Sequence, residues 1–261
     1  MIKYKEGIKF EDMINQVVWA DCLEAMKSIP DKNVDMILAD LPYGTTACDW
    51  DTIIPFEPLW EQYKRIIKDN GAIVLTASQP FTSALVMSNI KMFKQSLVWE
   101  KTRPTNIFNA KKQFTKWHED IVVFYSKPPI FNPQMRTDGQ FTGAKVQREN
   151  HDRMLGTMGR TGLKKDYVHK PNGGLFYPKS ILKYATEMYT SKHPTQKPVE
   201  LFAYLIKTYT NEGDLVLDNV AGSGTTGVAC KNLNRNFILI EKEEKYCKIA
   251  EDRLRQELLP L

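Results

Sequence analysis

The sequence predicts an α/β protein of the doubly wound type, with a mostly parallel twisted sheet and helices on both of its faces. Two observations support this prediction. Short apolar segments of strand length alternate along the chain with segments in which apolar residues recur at helical spacing. The 261 residues, of which 42% are hydrophobic and 26% charged, are enough to bury the core of one large domain or two small ones.

The first half of the chain begins with a strand at 16–20, a helix at 21–29 and a second strand at 34–39. Two strands joined through one helix over so short a segment form a right-handed crossover, so we expect these two strands to pair in parallel. The alternation continues with helices at 56–68 and 81–90 and strands at 72–76, 95–99 and 121–125.

The α/β pattern stops at Lys127, which two prolines follow, and resumes at Val199. Between these points glycines and prolines cluster, aromatic and basic residues interleave, and neither strand nor helix periodicity persists. We interpret residues 128–190 as an irregular insertion between a first part, 1–127, and a last part, 191–261. The last part contains helices at 199–210, 225–233 and 245–258 and strands at 215–217 and 237–240.

Positive charge is concentrated in the insertion and its flanks. Residues 127–197 contain thirteen basic and five acidic side chains, a net charge of +8, whereas the rest of the chain carries −3. A localised basic surface is typical of a module that binds a polyanion, although a solvated lysine-rich face has the same composition.

Composition also excludes several classes of protein. No apolar run approaches the roughly 18 residues that span a bilayer, and the N-terminus lacks the apolar core of a signal peptide. The four cysteines lie far apart, without the close spacing of a zinc site, and none follows a proline. We therefore expect a soluble, cytoplasmic protein with free thiols and no metal site.

A glycine-rich loop, DNVAGSGTTG at 218–227, connects the strand at 215–217 to the next helix, and Glu241 ends the strand after that. Glycines let the backbone approach a ligand, the helix N-terminus offers amide donors, and the acidic side chain can accept from two ribose hydroxyls. This arrangement favours a nucleoside cofactor over an ordinary tight turn. Only 34 residues follow Gly227, too few for the second half of a dinucleotide fold, which leaves a one-nucleoside cofactor such as S-adenosylmethionine.

The strand at 34–39 leads into Asp40-Leu41-Pro42-Tyr43 at the carboxyl end of the sheet, where open α/β folds place their active sites. The Asp40 carboxylate and the Leu41 carbonyl can accept the two hydrogens of an amino group, Pro42 fixes the turn, and an exposed Tyr43 can stack on a flat ring. A proline turn with a packed tyrosine would have the same pattern. For the first reading to hold, this turn and the turn near residue 222 must lie side by side on one sheet edge.

Asp40–Tyr43 resembles the D-P-P-Y motif of amino-methylating DNA methyltransferases, and the loop at 218–226 resembles their L-D-P-F-A-G-S-G-T-T cofactor loop. Segment 193–198, HPTQKP, resembles the H-P-T-x-K-P segment that precedes that loop, and segment 118–121, HEDI, resembles a further strand entry of the family. The tetrapeptide comes first and the glycine loop last, as in the β arrangement of this family. The chain departs from these motifs at Leu41, Asn219 and Val220.

The resemblance implies a Rossmann-like S-adenosylmethionine methyltransferase fold in circularly permuted order, with 128–190 as the DNA-recognition region. It implies that Asp40 and Tyr43 hold a flipped-out base in duplex DNA, together with Leu41 and Pro42, and that the methyl group is transferred by direct in-line displacement. The absence of a Pro-Cys nucleophile agrees with transfer to an amino group. Restriction-modification is the expected setting.

The resemblance also assigns residues to the cofactor and to DNA. Asp21 and Cys22 would contact the adenine, Glu241 the ribose, and Thr195 and Lys197 the methionine carboxylate. Asp218, Gly222 and Gly224 would line the methionine end, and the other loop residues expected to bind the cofactor are Ala221, Ser223 and Thr225. The insertion side chains expected to contact DNA phosphates or bases are Lys145, Arg148, Arg153, Arg160, Lys164, Lys165 and Lys170.

Three functions stay open at this point. The first is a DNA methyltransferase specific for N6 of adenine, because an aspartate in first position of the tetrapeptide leans toward adenine in this family. The second is a methyltransferase for N4 of cytosine, and the third is a non-catalytic DNA-binding protein that keeps the cofactor pocket as a ligand switch. Double-stranded DNA is the expected partner in all three. Similar proteins often form homodimers, but no stretch of this sequence identifies an interface.

Overall fold

The fold is known from a computed structural model, which describes residues 1–45, 51–137, 175–186 and 196–256. The chain divides into two compact units, Met1–Asn132 with Lys179–Leu261, and Pro133–Pro178. In the second unit, the backbones of Arg136 and Phe176 form an antiparallel bridge. The strands and helices described below all belong to the first unit.

Among the described residues, nine strands form one sheet. In chain order they are β1 (Ile2–Lys3), β2 (Gln16–Trp19), β3 (Val34–Asp40), β4 (Ile67–Ala77), β5 (Phe93–Thr105), β6 (Lys116–Phe124), β7 (Ile181–Tyr184), β8 (Leu215–Asp218) and β9 (Asn236–Glu241). Their order across the sheet is β1-β2-β9-β8-β3-β4-β6-β5-β7. Neighbours are parallel except where β6 pairs with β4 and β5. The expectation of a mostly parallel sheet is therefore confirmed.

Helices cover both faces of this sheet. Within the described ranges they are α1 (Phe10–Met13), α2 (Cys22–Met26), α3 (Phe56–Ile66), α4 (Phe81–Ser88), α5 (Val199–Tyr209), α6 (Thr225–Asn232) and α7 (Glu244–Arg255). Buried residues of α2, α3 and α4 pack in one core cluster with Ile37 of β3, and those of α5, α6 and α7 pack in a second cluster with Leu38. Successive residues of β3 therefore face opposite layers, as in a sheet buried on both sides. No helix in the described part of the chain is long and apolar enough to cross a membrane.

Two expectations about the sheet were wrong. Strands β2 and β3 run parallel but do not pair, because β9 and β8 from the end of the chain lie between them. Strand β7 lies within the segment interpreted as irregular and pairs with β5. Only Leu182 of its four residues is buried. A strand this short at the sheet edge therefore has no recognisable apolar pattern.

The pairing of β3 with β8 determines where ligands can bind. Met36 pairs with Val216 and Ile37 with Leu217, so that the two strands end next to each other at the same sheet edge. The helix after β3 packs on one face and the helix after β8 on the other. Chains that leave adjacent strands toward opposite faces open a crevice at the carboxyl edge, the usual ligand position in open α/β sheets.

Candidate active site

A cavity of about 710 Å³ lies where β3 and β8 end. This volume is within the range of small-molecule sites in proteins. The tetrapeptide and the glycine loop both line it, which confirms that the two turns lie side by side on one sheet edge. The sequence-predicted residues that line the cavity are Asp21, Cys22, Asp40, Leu41, Pro42, Tyr43, Lys197, Asp218, Ala221, Gly222, Ser223, Thr225 and Glu241.

The remaining predicted residues are placed differently. Gly224 is the N-cap of α6, has a φ of 80°, and is not among the residues that line the cavity. A side chain there would bring its Cβ within 2.8 Å of the Ala250 Cβ, so this glycine permits close packing of the loop on α7. Thr195 lies outside the described residues, and so do the DNA-contact candidates Lys145, Arg148, Arg153, Arg160, Lys164, Lys165 and Lys170.

Asp21 and Cys22 form the start of α2. Oδ1 of Asp21 accepts hydrogen bonds from the backbone N–H groups of Leu23 and Glu24, at 2.9 and 3.3 Å. Asp21 is therefore the N-cap of α2, which holds this turn in a fixed conformation at the cavity wall. Burial raises the pKa of the Cys22 thiol to about 11, so this thiol stays neutral.

The glycine loop presents its backbone to the cavity. Gly222 has a φ of 51°, and a Cβ placed on it would meet no atom within 4 Å, so the space beside it is open. Its N–H donates to Oε2 of Glu241 at 2.8 Å, while Oε1 of Glu241 accepts from the backbone N–H of Glu243 at the same distance. The two backbone contacts fix a nearly buried carboxylate at the end of β9. A nucleoside that places its ribose here would find a preoriented acceptor.

Asn219, which departs from the family motif, is also placed to contact a ligand in this cavity. Its Oδ1 accepts from the hydroxyl of buried Tyr63 at 2.5 Å. Its Nδ2 is buried, forms no regular hydrogen bond with the described residues, and interacts with the Cys22 side chain. A thiol is a weak acceptor, so this buried donor is better satisfied when a ligand or water also accepts from it.

Asp218 is the most strongly perturbed acid of the cavity. It is buried at the end of β8, where Oδ2 accepts from Thr226 Oγ1 at 2.5 Å and Oδ1 from the backbone N–H of Val220 at 3.1 Å. Burial raises its pKa from 3.8 to about 7, and these two hydrogen bonds oppose the shift only in part. The side chain therefore exchanges a proton near neutral pH.

In the tetrapeptide, Asp40 accepts three hydrogen bonds. Its Oδ1 accepts from the Tyr43 hydroxyl at 2.6 Å and from Thr76 Oγ1, and its Oδ2 accepts from Lys197 Nζ at 2.7 Å. Tyr43 is half-buried and its ring stacks on Phe81, with 5.3 Å between centroids, so the expectation of an exposed aromatic was wrong. Burial and the Asp40 carboxylate raise the pKa of Tyr43 well above its usual value, which keeps its hydroxyl a donor.

Lys197 connects the tetrapeptide to a second acid, Glu119. Its Nζ lies 3.2 Å from Oε2 of Glu119, whose Oε1 accepts from Lys101. Burial alone would lower the pKa of Lys197, but the Asp40 and Glu119 carboxylates outweigh it and the pKa is raised. Burial raises the pKa of Glu119 and the two lysines lower it, and the net effect is a lowering. Lys197 and Glu119 are therefore both charged at neutral pH.

Sequence reasoning placed Lys197 at the cofactor carboxylate and gave Glu119 and Lys101 no role. Glu119 lies in segment 118–121, which was recognised only as a strand entry. The signal that could have revealed the network is the pair of opposite charges on two neighbouring strands, since charged residues in buried strand segments are rare unless paired. Trp99, which also lines the cavity, donates from Nε1 to the Tyr184 carbonyl at 3.0 Å and is fixed there.

Comparison with known proteins agrees with this geometry. A family model described as a DNA methylase, N6_N4_Mtase, matches residues 34–252. The type II methyltransferase M.HinfI of Haemophilus influenzae is 29% identical, over 97% of this chain and 71% of its own. The type II methyltransferase M1.MboII of Moraxella bovis is 27% identical, over 93% of this chain and 97% of its own.

Solved structures of methyltransferases superpose on the chain. The crystal structure of the M1.HpyAVI–SAM complex is 26% identical, with a TM-score of 0.62 over 92% of this chain and 99% of that one. The PvuII DNA methyltransferase, described as cytosine-N4-specific, has a TM-score of 0.63 over 94% of this chain and 87% of that one. At 14% identity, the second similarity shows the fold alone.

The raised pKa of Asp218 predicts how stability depends on pH. The folded protein holds this proton more tightly than the unfolded chain, so the stabilisation is present at low pH and is lost as the pH rises through about 7. Between pH 5.5 and 8, the free energy of unfolding of the wild type should fall by about 2 kcal/mol more than that of Asp218→Asn. Urea unfolding without added ligand measures both, and the exposed Asp252→Asn is the control that should follow the wild type. Equal pH dependence of wild type and Asp218→Asn would contradict the buried-acid interpretation.

Proposed function

The chain belongs to the N6/N4 DNA methylase family, and from this premise we propose that it transfers a methyl group from S-adenosylmethionine to N6 of an adenine in duplex DNA. The observation that carries the proposal is that the Asp40 tetrapeptide and the Gly222 loop line the same cavity. An acceptor site and a nucleoside site that meet in one cavity allow direct transfer between two bound molecules.

The cofactor part of the proposal is supported by the shape and donors of the glycine-loop end. Glu241 would accept the ribose hydroxyls, the open backbone at Gly222 would allow close approach, and Asn219 has a donor to offer. Asp21 and Cys22 form the wall beside the nucleoside. When bound, S-adenosylmethionine supplies an electrophilic methyl group on a sulfonium.

The Asp40 carboxylate has one acceptor position left for a substrate. A carboxylate has about four lone-pair positions, and Tyr43, Thr76 and Lys197 occupy three of them. The fourth can accept one hydrogen of an exocyclic amino group, and the Leu41 carbonyl can accept the other. Two acceptors at one nitrogen favour a pyramidal geometry and direct its lone pair toward the methyl carbon.

The same carboxylate is suited to the proton that must leave the nitrogen. As the nitrogen–carbon bond forms and the electron pair of the carbon–sulfur bond returns to sulfur, the methylated nitrogen carries a positive charge and one proton too many. Asp40 can accept that proton and release it to solvent, while Lys197 keeps the side chain in place. Because the amino group of a stacked base is out of reach, the base must leave the duplex to enter the cavity.

Adenine is proposed over cytosine because the tetrapeptide begins with Asp40, which in similar proteins leans toward adenine. The test is incubation of the full chain with methyl-labelled S-adenosylmethionine and duplex DNAs of varied sequence, followed by digestion to nucleosides. N6-methyladenine supports the proposal. N4-methylcytosine would overturn the choice of base and leave the reaction class intact, whereas DNA binding without any methylated product would favour the non-catalytic reading.

Asp40→Asn should lower the turnover rate by at least about 100-fold, because the substituted amide cannot take the proton and offers one acceptor fewer. Binding of duplex DNA and of S-adenosylmethionine should change by less than about threefold, since the side chain keeps its shape. Single-turnover methylation and equilibrium binding measure the two effects. The control is Asp12→Asn, an exposed aspartate on α1. A variant that methylates at the control rate would remove Asp40 from the mechanism.

Lys197→Met should change both stability and the pH profile of the rate. Without the shared ammonium, the Asp40 and Glu119 carboxylates lose their common counter-charge, so we expect the free energy of unfolding to fall by about 3–5 kcal/mol. The variant also lacks the positive charge beside the proposed proton acceptor, so the rate should fall at neutral pH and its pH profile should shift to higher pH.

The matched control is Lys101→Met, which removes an equally buried lysine that contacts Glu119 and not Asp40. The free energy of unfolding of Lys101→Met should fall in the same way, while the pH profile of its rate stays that of the wild type. Urea unfolding and single-turnover rates from pH 6 to 9 distinguish the two variants. Identical pH profiles for both would show that Lys197 acts through general stability alone.

A further inference from the structure

The connection between β5 and β6 carries large apolar side chains that are exposed. We name residues 106–115 the rim arm. Phe108 and Phe114 are 100% and 99% exposed, and Ile107 is 61% exposed. Leaving a phenylalanine in water forgoes about 2–3 kcal/mol of burial, so two such residues in one loop indicate a surface that contacts a partner.

The rim arm has a defined conformation of its own. Asn106 adopts the left-handed region, with a φ of 57°, and its Oδ1 accepts from the backbone N–H of Lys116 at 2.9 Å. A turn of 3-10 helix follows at Ile107–Asn109, and the N–H groups of Lys112 and Gln113 donate to the Asn109 carbonyl. These bonds hold the phenylalanines outward before any partner binds, which reduces the entropy lost on binding.

The rim arm starts at the mouth of the cavity. Arg103, Pro104 and Thr105, the three residues before it, line the cavity, and Thr105 pairs with Lys116 on the returning strand. Whatever delivers a base into the cavity must therefore lie against this loop.

The charge of this segment identifies the class of partner. Residues 103–117 contain four basic side chains and no acidic one, and Lys111 and Lys112 at the tip are exposed. Adjacent lysines beside exposed aromatic rings fit a nucleic acid, because lysines neutralise phosphates and aromatic rings stack on bases. A second copy of this chain is a poor partner for this loop, because two basic loops repel each other.

We propose that the rim arm is a second DNA-contacting element, separate from the 128–190 insertion, which binds the duplex next to the extruded base. In this arrangement Lys111 and Lys112 contact phosphates, and Phe108 and Phe114 contact the base pairs left beside the gap. The inference rests on the proposed function, because it requires a duplex with one base in the cavity. Aromatic contact with the gap would compensate part of the stacking lost when the base leaves.

The test uses the full chain and a labelled duplex that carries the mapped methylation site, with 2-aminopurine in place of the target adenine. Lys111→Gln with Lys112→Gln should reduce the slope of log affinity against log salt by about 1.8, the value for two lost phosphate contacts. Phe108→Ala with Phe114→Ala should weaken binding by about tenfold, leave the salt slope unchanged and reduce the fluorescence increase that reports base extrusion.

Matched controls lie before and at the start of the same strand, β5. Lys91→Gln with Lys94→Gln removes two exposed lysines, and Met87→Ala with Ile90→Ala removes two exposed apolar side chains. Both should bind the duplex as the wild type does. Fluorescence anisotropy at several salt concentrations measures affinity and slope, and light scattering measures the oligomeric state.

The outcomes separate the two proposals. If the wild type methylates DNA but the arm variants bind with its affinity, slope and fluorescence change, the role of the rim arm is refuted and the proposed function stands. If the phenylalanine variant turns a dimer into a monomer with unchanged DNA binding, the partner is a second copy and the DNA proposal is wrong. If the wild type yields no methylated nucleoside, the proposed function itself fails.

Discussion

The contact on which the site depends is the ion pair between Asp40 and Lys197. The two residues are 157 positions apart, and Lys197 is only 7% exposed. Moving two isolated charges out of water costs several kcal/mol per ion. A buried ion pair offsets this cost only when its remaining hydrogen-bonding positions are satisfied. Here Tyr43 and Thr76 donate to the Asp40 carboxylate, Glu119 lies within ion-pair distance of Lys197, and Lys101 pairs with Glu119. The formal charges of the two acids and the two lysines sum to zero, so the network buries no net charge.

This network can form only because of the strand order. Asp40 ends β3, Lys101 and Glu119 lie on the antiparallel pair β5 and β6, and Lys197 lies just before α5. Strand β4 separates β3 from β6, so the long Lys197 side chain spans the gap between the acids on these two strands. On the other side of β3, the pairing with β8 brings in the glycine loop. The acceptor end and the cofactor end of the cavity thus meet at β3, the middle strand of the sheet.

Much of this arrangement was predictable from local sequence. The strands and helices with strong apolar periodicity, such as β3 and α5, were found within one or two residues. The glycine loop was found from its spacing, and the tetrapeptide from its position after β3 and its resemblance to the family motif. Strand neighbours were not, because the pairing of β2 with β9 depends on contacts between distant segments that no local pattern records. The ion pairs of Lys197 with Asp40 and Glu119 were missed for the same reason. Its sequence neighbours indicate a cofactor contact, whereas its burial between two acids exists only in the folded chain.

The cavity divides its electrostatic properties between its two ends. At the tetrapeptide, Asp40 and Glu119 each have a lysine within ion-pair distance, so the charges of this network are balanced. At the glycine loop, Asp218 and Glu241 form no ion pair within the described part of the chain, and burial raises the pKa of both. A ligand that brings hydroxyl donors or a positive charge to this end would favour the ionised forms and be held by them. A nucleoside attached to a sulfonium has both properties, whereas a neutral base suits the balanced end. The distribution of buried charge therefore matches one ligand to each end of the cavity.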